Sequence, residues 1–441
     1  MSNIHTGFET IGNATLITHD TGQPLLATDV WLDEHPCYFG SWSLPFKVPD
    51  EQRQNIKKCP FIFISHFHPD HLNLASLRNF KHAVLLIAQH WGSRVEKELR
   101  GAGFRVVALP SRKWHSIGNN TRIMLFNNSL HDSAILVELT DPHGGKTLVA
   151  NLNDSGGIGF EMSLRNIARK YSNSFYLGLH GYGDADMINL FDIHGSRLHP
   201  VRMAGRQIGR EIQSYLNRFQ LKVAIPFSSF HQYQRRDSAW ANQYTTPIDS
   251  YYDGFQPSKH QAILPPFIKV HLKGESYQHE SINPRPNQVS VPIPETVFGD
   301  DWSTNLSQAH LAMAHDYFSS IQPLRKLFHE IQLCVGNATH TVFRGSGKSS
   351  IRFQAPSASL MRAIRTNIFD DLLIANFMRV YLDNCNSLYR PNFNYLVTKY
   401  ADNGGVRTHA QLKAMFSHYE TQQPPLDWSI SQMRKLKRLF T

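Results

Sequence analysis

The 441-residue chain reads as an α/β fold with a mostly helical C-terminal region, and three observations predict it. Residues 1–280 alternate short β-type apolar runs with amphipathic helical stretches. Residues 281–302 break that alternation, because Pro284, Pro286, Pro292 and Pro294 rule out a helix there. Beyond them helical periodicity dominates. The expected organisation is a domain over 1–280, an extended linker or wrap-around arm over 281–302, and an α+β, mostly helical, basic region over 303–441.

In chain order, residues 25–28 form a strand ending at Asp29. Phe61-Ile62-Phe63-Ile64 is short, apolar and β-rich, and reads as a buried strand. It runs directly into Ser-His-Phe-His-Pro-Asp-His, which sets His66, His68, Asp70 and His71 within six positions. Residues 92–101 and 202–218 read as helices. Strands at 122–126, 147–150 and 222–227 lead to His131, Asp154 and His231 respectively. After the proline-rich segment, 305–333, 358–381 and 409–420 read as helices, and 338–344 with 349–354 as a strand pair.

Three imidazoles and a carboxylate at the end of a buried strand suit a metal held on rigid scaffold. His66 and His68 project to one side, and Asp70 and His71 follow Pro69 into a neighbouring position. Nitrogen and carboxylate donors of this kind fit Zn, Fe or Mn. Cys59, one residue before the strand, fits a buried packing role better than ligation.

Composition excludes several classes. The 41% apolar and 18% charged content is that of a globular protein, and no apolar run approaches the roughly 20 residues of a membrane span. The N-terminus lacks the basic start and apolar stretch of a signal peptide. Cys37, Cys59, Cys334 and Cys385 have no paired close spacing and read as reduced thiols, so a cytoplasmic location is expected. The net charge is +10, and residues 301–441 hold 16 Lys/Arg against 9 Asp/Glu, a balance of +7. That favours an anionic small-molecule substrate. The basic run Arg434, Lys435, Lys437 and Arg438 lacks aromatic interleaving, so a solvated helix face is expected and no nucleic-acid partner. Gly345-Ser346-Gly347-Lys348-Ser349 imitates the end of a P-loop. Val342 stands where that motif needs glycine, and a hairpin turn is expected instead.

The His66–His71 segment resembles the signature of the metallo-β-lactamase fold superfamily, which implies a four-layer αββα sandwich over 1–280. Matched onto that pattern, one cation takes His66, His68 and His131, and the other takes Asp70, His71 and His231. Asp154 bridges them, and Asp29 orients the metal loop from behind. Alone, His131, Asp154 and His231 are weak signals; their order makes the set specific. Asp29-Val30-Trp31-Leu32, Phe39-Gly40-Ser41-Trp42 and Phe369-Asp370-Asp371-Leu372-Leu373 resemble segments of CMP-N-acetylneuraminate hydroxylase and its relatives. The paired Cys-x-His and Cys-x-x-His motifs of that family's Rieske domain are absent from this sequence, and His231 is a departure from its pattern.

What the resemblance implies is a dinuclear centre of two divalent cations, Zn foremost with Fe or Mn as alternatives. They lie about 3.5–4 Å apart and supply a metal-bound hydroxide near neutral pH. The expected reaction is hydrolysis of an ester, lactone, amide or phosphodiester, with Asp70 as second-metal ligand and proton acceptor. Trp42, His180, Tyr233, Arg235 and Arg236 are candidates for binding substrate. The alternative is a non-haem di-iron oxygenase, which needs a separate electron donor as redox partner. A non-catalytic binding role is the third reading.

Overall fold

Successive side chains of the strand Phe61–Ile64 enter different cores. Ile62 and Ile64 pack in the cluster that holds the helix residues Ile56, Leu77 and Leu99, while Phe61 and Phe63 face a second sheet. A strand buried on both faces must be apolar throughout, which is why it reads as a continuous run. The structure, a computed structural model, describes residues 4–181, 187–198, 206–287 and 289–440, with the side chains of 434–440 outside that description.

Two sheets build the sandwich. The eight-stranded one runs Ser276–Ser281, Ile268–Lys273, Gly7–Ile11, Thr15–Asp20, Gln23–Thr28, Phe61–Ile64, Val84–Ala88, Arg105–Leu109. The seven-stranded one runs Ala262–Ile263, Val223–Phe227, Asn173–Leu179, Lys146–Asn153, Ser133–Thr140, Thr121–Asn127, Trp114–Ser116. Phe8, Leu16, Leu26 and Phe63 of the first meet Ile135, Val149, Phe175 and Ile225 of the second in one dry layer. Helices Asp50–Lys58 and Arg94–Gly101 flank the first sheet, and Glu161–Ala168 and Ile208–Phe219 the second. Ile208, Ile212, Leu216 and Phe219 show how: a helical stripe buried at four- and three-residue spacing. This is the four-layer αββα sandwich expected from the sequence.

The topology also sets where chemistry collects. Gln23–Thr28 and Phe61–Ile64 are parallel, with Thr28 opposite Phe63, so Asp29 and Ser65 leave the sheet together. Lys146–Asn153, Asn173–Leu179 and Val223–Phe227 are parallel too, and their ends meet that same edge. The Asn153 amide donates to Asp29 at 2.7 Å, and the Ser228 N–H to the Asn13 carbonyl at 2.9 Å.

Several expectations about the C-terminal half are corrected. Residues 305–333 form the helix Gln308–Ser319, a short 3₁₀ turn and then the strand Phe328–Val335, whose alternating burial is β-type. Residues 358–381 split into helices Ser357–Thr366 and Phe369–Ile374, interrupted where Asn367 takes a positive φ of 53°, and then the strand Arg379–Asp383. Strands Ala338–Arg344 and Ser349–Gln354 do not pair with each other, because Phe328–Val335 lies between them. Gly345–Ser349 is therefore a crossover turn, bonded through Gly345 and Gly347 N–H groups to His329 and Phe328 carbonyls. The third expected helix is His409–Thr421, closed by a Thr408 capping box. Of 92–101, the helix proper is Arg94–Gly101; of 202–218, residues 202–205 lie outside the described residues. The charged side chains of Arg434, Lys435, Lys437 and Arg438 also lie outside it.

The segment 281–302 is an arm rather than a spacer. It bonds along Pro45 and Lys47 through Asn287 and Arg285, and along Gln234 and Arg236 through Ile293. The regions it joins share a hydrophobic core and a sheet, since Leu190–Asp192 pairs with Arg379–Asp383. The expected separation near 300 thus does not mark a physical boundary. Among the described residues no helix is long and apolar enough to cross a membrane.

Candidate metal centre

The strand Phe61–Ile64 ends into a loop whose shape is dictated by one buried carboxylate. Asp29 accepts the Ser65 N–H and the Ser65 hydroxyl, each at 2.8 Å, the His71 Nδ1–H at 3.0 Å and the Asn153 amide. With Nδ1 of His71 so engaged, its Nε2 is aimed at the cluster. Asp29 thus ties the loop 65–71 to the sheet edge.

Three expected residues converge in the tightest group: ligand atoms of His66, His68 and Asp154 all lie within 4.8 Å of one another. His66 Nε2 is 2.9 Å from His68 Nδ1 and 3.5 Å from Asp154 Oδ2. Beside them, His71 Nε2 stands 3.7 Å from Asp154 Oδ1 and 3.3 Å from Asp70 Oδ2, without a well-aligned hydrogen bond to either. Asp154 thus lies between His66 and His71, with one oxygen toward each. Asp70 is anchored by Tyr38 OH at 2.5 Å and Asn13 Nδ2 at 2.9 Å. His231 lies flat on Trp42, ring centroids 3.5 Å apart, with Tyr233 edge-on.

The donor set fits a cation. His71 Nε2, Asp154 Oδ1 and both ring nitrogens of His231 are buried without a hydrogen-bond partner among the described residues. Each such atom costs about 1–3 kcal/mol when left unsatisfied, and a cation accepts lone pairs from all of them. Burial holds His66 well below the ordinary imidazole range and His231 down to about 3, so both stay neutral and able to ligate. Burial raises the Asp154 carboxyl to about 6. It also acts to raise Asp70, but His71, His68 and the Tyr38 hydroxyl outweigh it and keep that carboxyl below its usual range.

His131, the other expected ligand, lies outside the group of three, stacked on His90 with Tyr419 edge-on, and its Nε2 is likewise buried without a hydrogen-bond partner among the described residues. Its Nε2 faces Gly404, where an added Cβ would sit 2.9 Å away. Asp132 beside it lies 3.8 Å from Lys399 Nζ.

The substrate candidates fall into different places. Arg235 is fully buried, paired with Asp237 and Asp300 and stacked on Phe377; it braces the fold and is not open to substrate. Arg236 pairs with Glu295 at the surface. His180 bonds to Tyr176 OH at 2.7 Å in a buried site, and Trp42 and Tyr233 support His231. Missed from sequence were Asn13, Tyr38, Asn153, Asp370 and Lys399. Asp370 lay in a segment already noted for resemblance and Tyr38 in the aromatic loop; nothing in the sequence marked Asn13 or Lys399.

No family model matches the chain. It is 29% identical over 158 residues to the cytidine monophosphate-N-acetylneuraminic acid hydroxylase of Asterias rubens, covering 33% of this chain and 24% of that protein. With the same enzyme of Cricetulus griseus it is 25% identical over 179 residues, 34% of this chain and 32% of that one. The chain thus spans a third or less of these relatives. Among solved structures it is similar to a diiron β-hydroxylase from Streptomyces venezuelae, with a TM-score of 0.35, 12% identity and coverage of 64% of this chain and 55% of that one. It is also similar to an isothiocyanate hydrolase from Delia radicum gut bacteria, with a TM-score of 0.36, 13% identity and coverage of 62% and 99%.

Proposed function

We propose that the chain is a metal-dependent hydrolase acting on an ester, lactone, amide or phosphodiester of an anionic small molecule. The observation that carries this reading is the set of buried, unpartnered donor atoms on His71, Asp154 and His231 beside the His66–His68–Asp154 group. His66, His68 and Asp154 would hold one divalent cation, and Asp70, His71, His231 and Asp154 a second, with zinc the first choice. Bound there, such cations supply Lewis acidity, polarising the scissile group and lowering the pKa of nearby water.

The chain's own residues do the rest. Asp29 fixes His71, and Tyr38 and Asn13 fix Asp70, so the donors meet the cation without reorganising. Each Asp70 oxygen accepts one of these bonds and keeps a lone pair for a cation, and the carboxyl is held ionised, which suits a ligand better than a proton acceptor. Trp42 and Tyr233 keep His231 dry.

A second reading, an iron-dependent hydroxylase with a separate electron donor, is favoured by the partial similarity to the two hydroxylases. Turnover assays separate the two. The hydrolase should cleave members of an activated ester, lactone and phosphodiester panel anaerobically. Reductant-dependent O₂ uptake with no anaerobic hydrolysis would establish the second reading instead.

A further inference from the structure

The C-terminal region reaches into the metal centre through two residues to which the αββα sandwich contributes nothing. Asp370 is the second residue of the helix Phe369–Ile374, and Lys399 lies in the π-helical segment Tyr395–Asn403. Asp370 Oδ2 is 2.7 Å from His68 Nε2, and Lys399 Nζ is 3.2 Å from both of those atoms. All three side chains are buried. We infer that Asp370, backed by Lys399, is a positioning residue of the metal centre, holding the proton of His68 on Nε2 so that Nδ1 is left bare to ligate beside His66 and Asp154.

Two arrangements compete at His68. A lysine ammonium has three donors and no acceptor, so Lys399 bonds to Nε2 only if that nitrogen is unprotonated. The proton would then sit on Nδ1, the atom facing His66 Nε2 at 2.9 Å, and His68 could not be a ligand. A carboxylate demands the opposite tautomer. The shorter contact is the one to Asp370, and Lys399 is already committed to Asp370 and, at 3.8 Å, to Asp132. The ammonium is therefore the counter-charge that lets a buried carboxylate remain against the imidazole. Asp29 does the same for His71 from the other side of the cluster. The two ends of the centre are thus each oriented by an aspartate, one from the sandwich and one from the C-terminal region.

This inference rests on the reading of His66, His68 and Asp154 as cation ligands, and the test keeps the two apart. Zinc stoichiometry and affinity are measured on the full chain by elemental analysis and chelator competition, for wild type, Asp370→Asn, Asp370→Glu and Lys399→Met. Asp370→Asn can turn its amide toward Nε2 and drive the proton to Nδ1. It should weaken one zinc by about 10–100-fold while the other is kept, with Asp370→Glu recovering part of the loss and Lys399→Met losing less than Asp370→Asn. Zinc bound by Asp370→Asn as tightly as by wild type overturns the inference, whereas a wild type that takes up no zinc overturns the metal reading on which it stands. Should Asp370→Asn fail to fold by circular dichroism, the histidine nitrogen resonances of zinc-loaded wild type decide. A proton on His68 Nε2 supports the inference, and one on Nδ1 overturns it.

Discussion

Asp29 does more than its one charge suggests. It sits at a positive φ of 41°, wholly buried, and four donors converge on its carboxylate from Ser65, His71 and Asn153. Asp29→Ala leaves those donors unpaired in a dry place, which should cost on the order of 3 kcal/mol. Denaturant unfolding would show it, and because His71 is freed to rotate, metal affinity should fall with it. His180 makes a different prediction. Burial holds it down to about 4, with the Glu211 charge opposing and Arg206 adding to that effect, and Tyr176 OH bonded to its Nε2. Its folded pKa lies below the unfolded value near 6.5, so the unfolded chain takes up a proton that the folded one refuses. Stability from this residue is complete above pH 6.5 and is lost as pH falls from 6.5 toward 4. Unfolding free energies measured across that window should decline less steeply in His180→Gln than in wild type; equal slopes would refute the assignment.

Among the elements, the helix Phe369–Ile374 ties stability to chemistry. Phe369 is buried in an aromatic cluster with Phe318, Phe353 and Phe393, while its neighbour Asp370 holds His68. Phe369→Ala should cost about 3–5 kcal/mol, read from a chemical denaturation curve, and should lower zinc affinity as well because Asp370 loses its footing. This helix also shows where sequence reasoning stops. The strand Phe61–Ile64 and its ligand burst were legible because burial on both faces forces an apolar run and the donors are contiguous. His131, Asp154 and His231 could be named only through the family resemblance, because a single histidine or aspartate a few residues after a strand carries no signal by itself. Nor could the strand Phe328–Val335 be separated from the helix before it, because its β-period begins within a stretch of helical pattern. Lys399 was invisible: one lysine among 45 basic residues, placed only by tertiary packing.

At the scale of the whole molecule, two sheet edges and a C-terminal region are folded around histidines and carboxylates, several of whose facing atoms are buried without a hydrogen-bond partner among the described residues. The arm at 281–302 is bonded along both sides of its path, and the two regions share one core. Asp154 is the residue placed to serve both halves of the cluster, with one oxygen near His66 and the other near His71. Elemental analysis of wild type and Asp154→Ala, each loaded with zinc, gel-filtered and shown folded by circular dichroism, is the most direct test. Wild type should retain zinc and Asp154→Ala should lose most of it; a folded Asp154→Ala carrying the full wild-type complement would contradict the account.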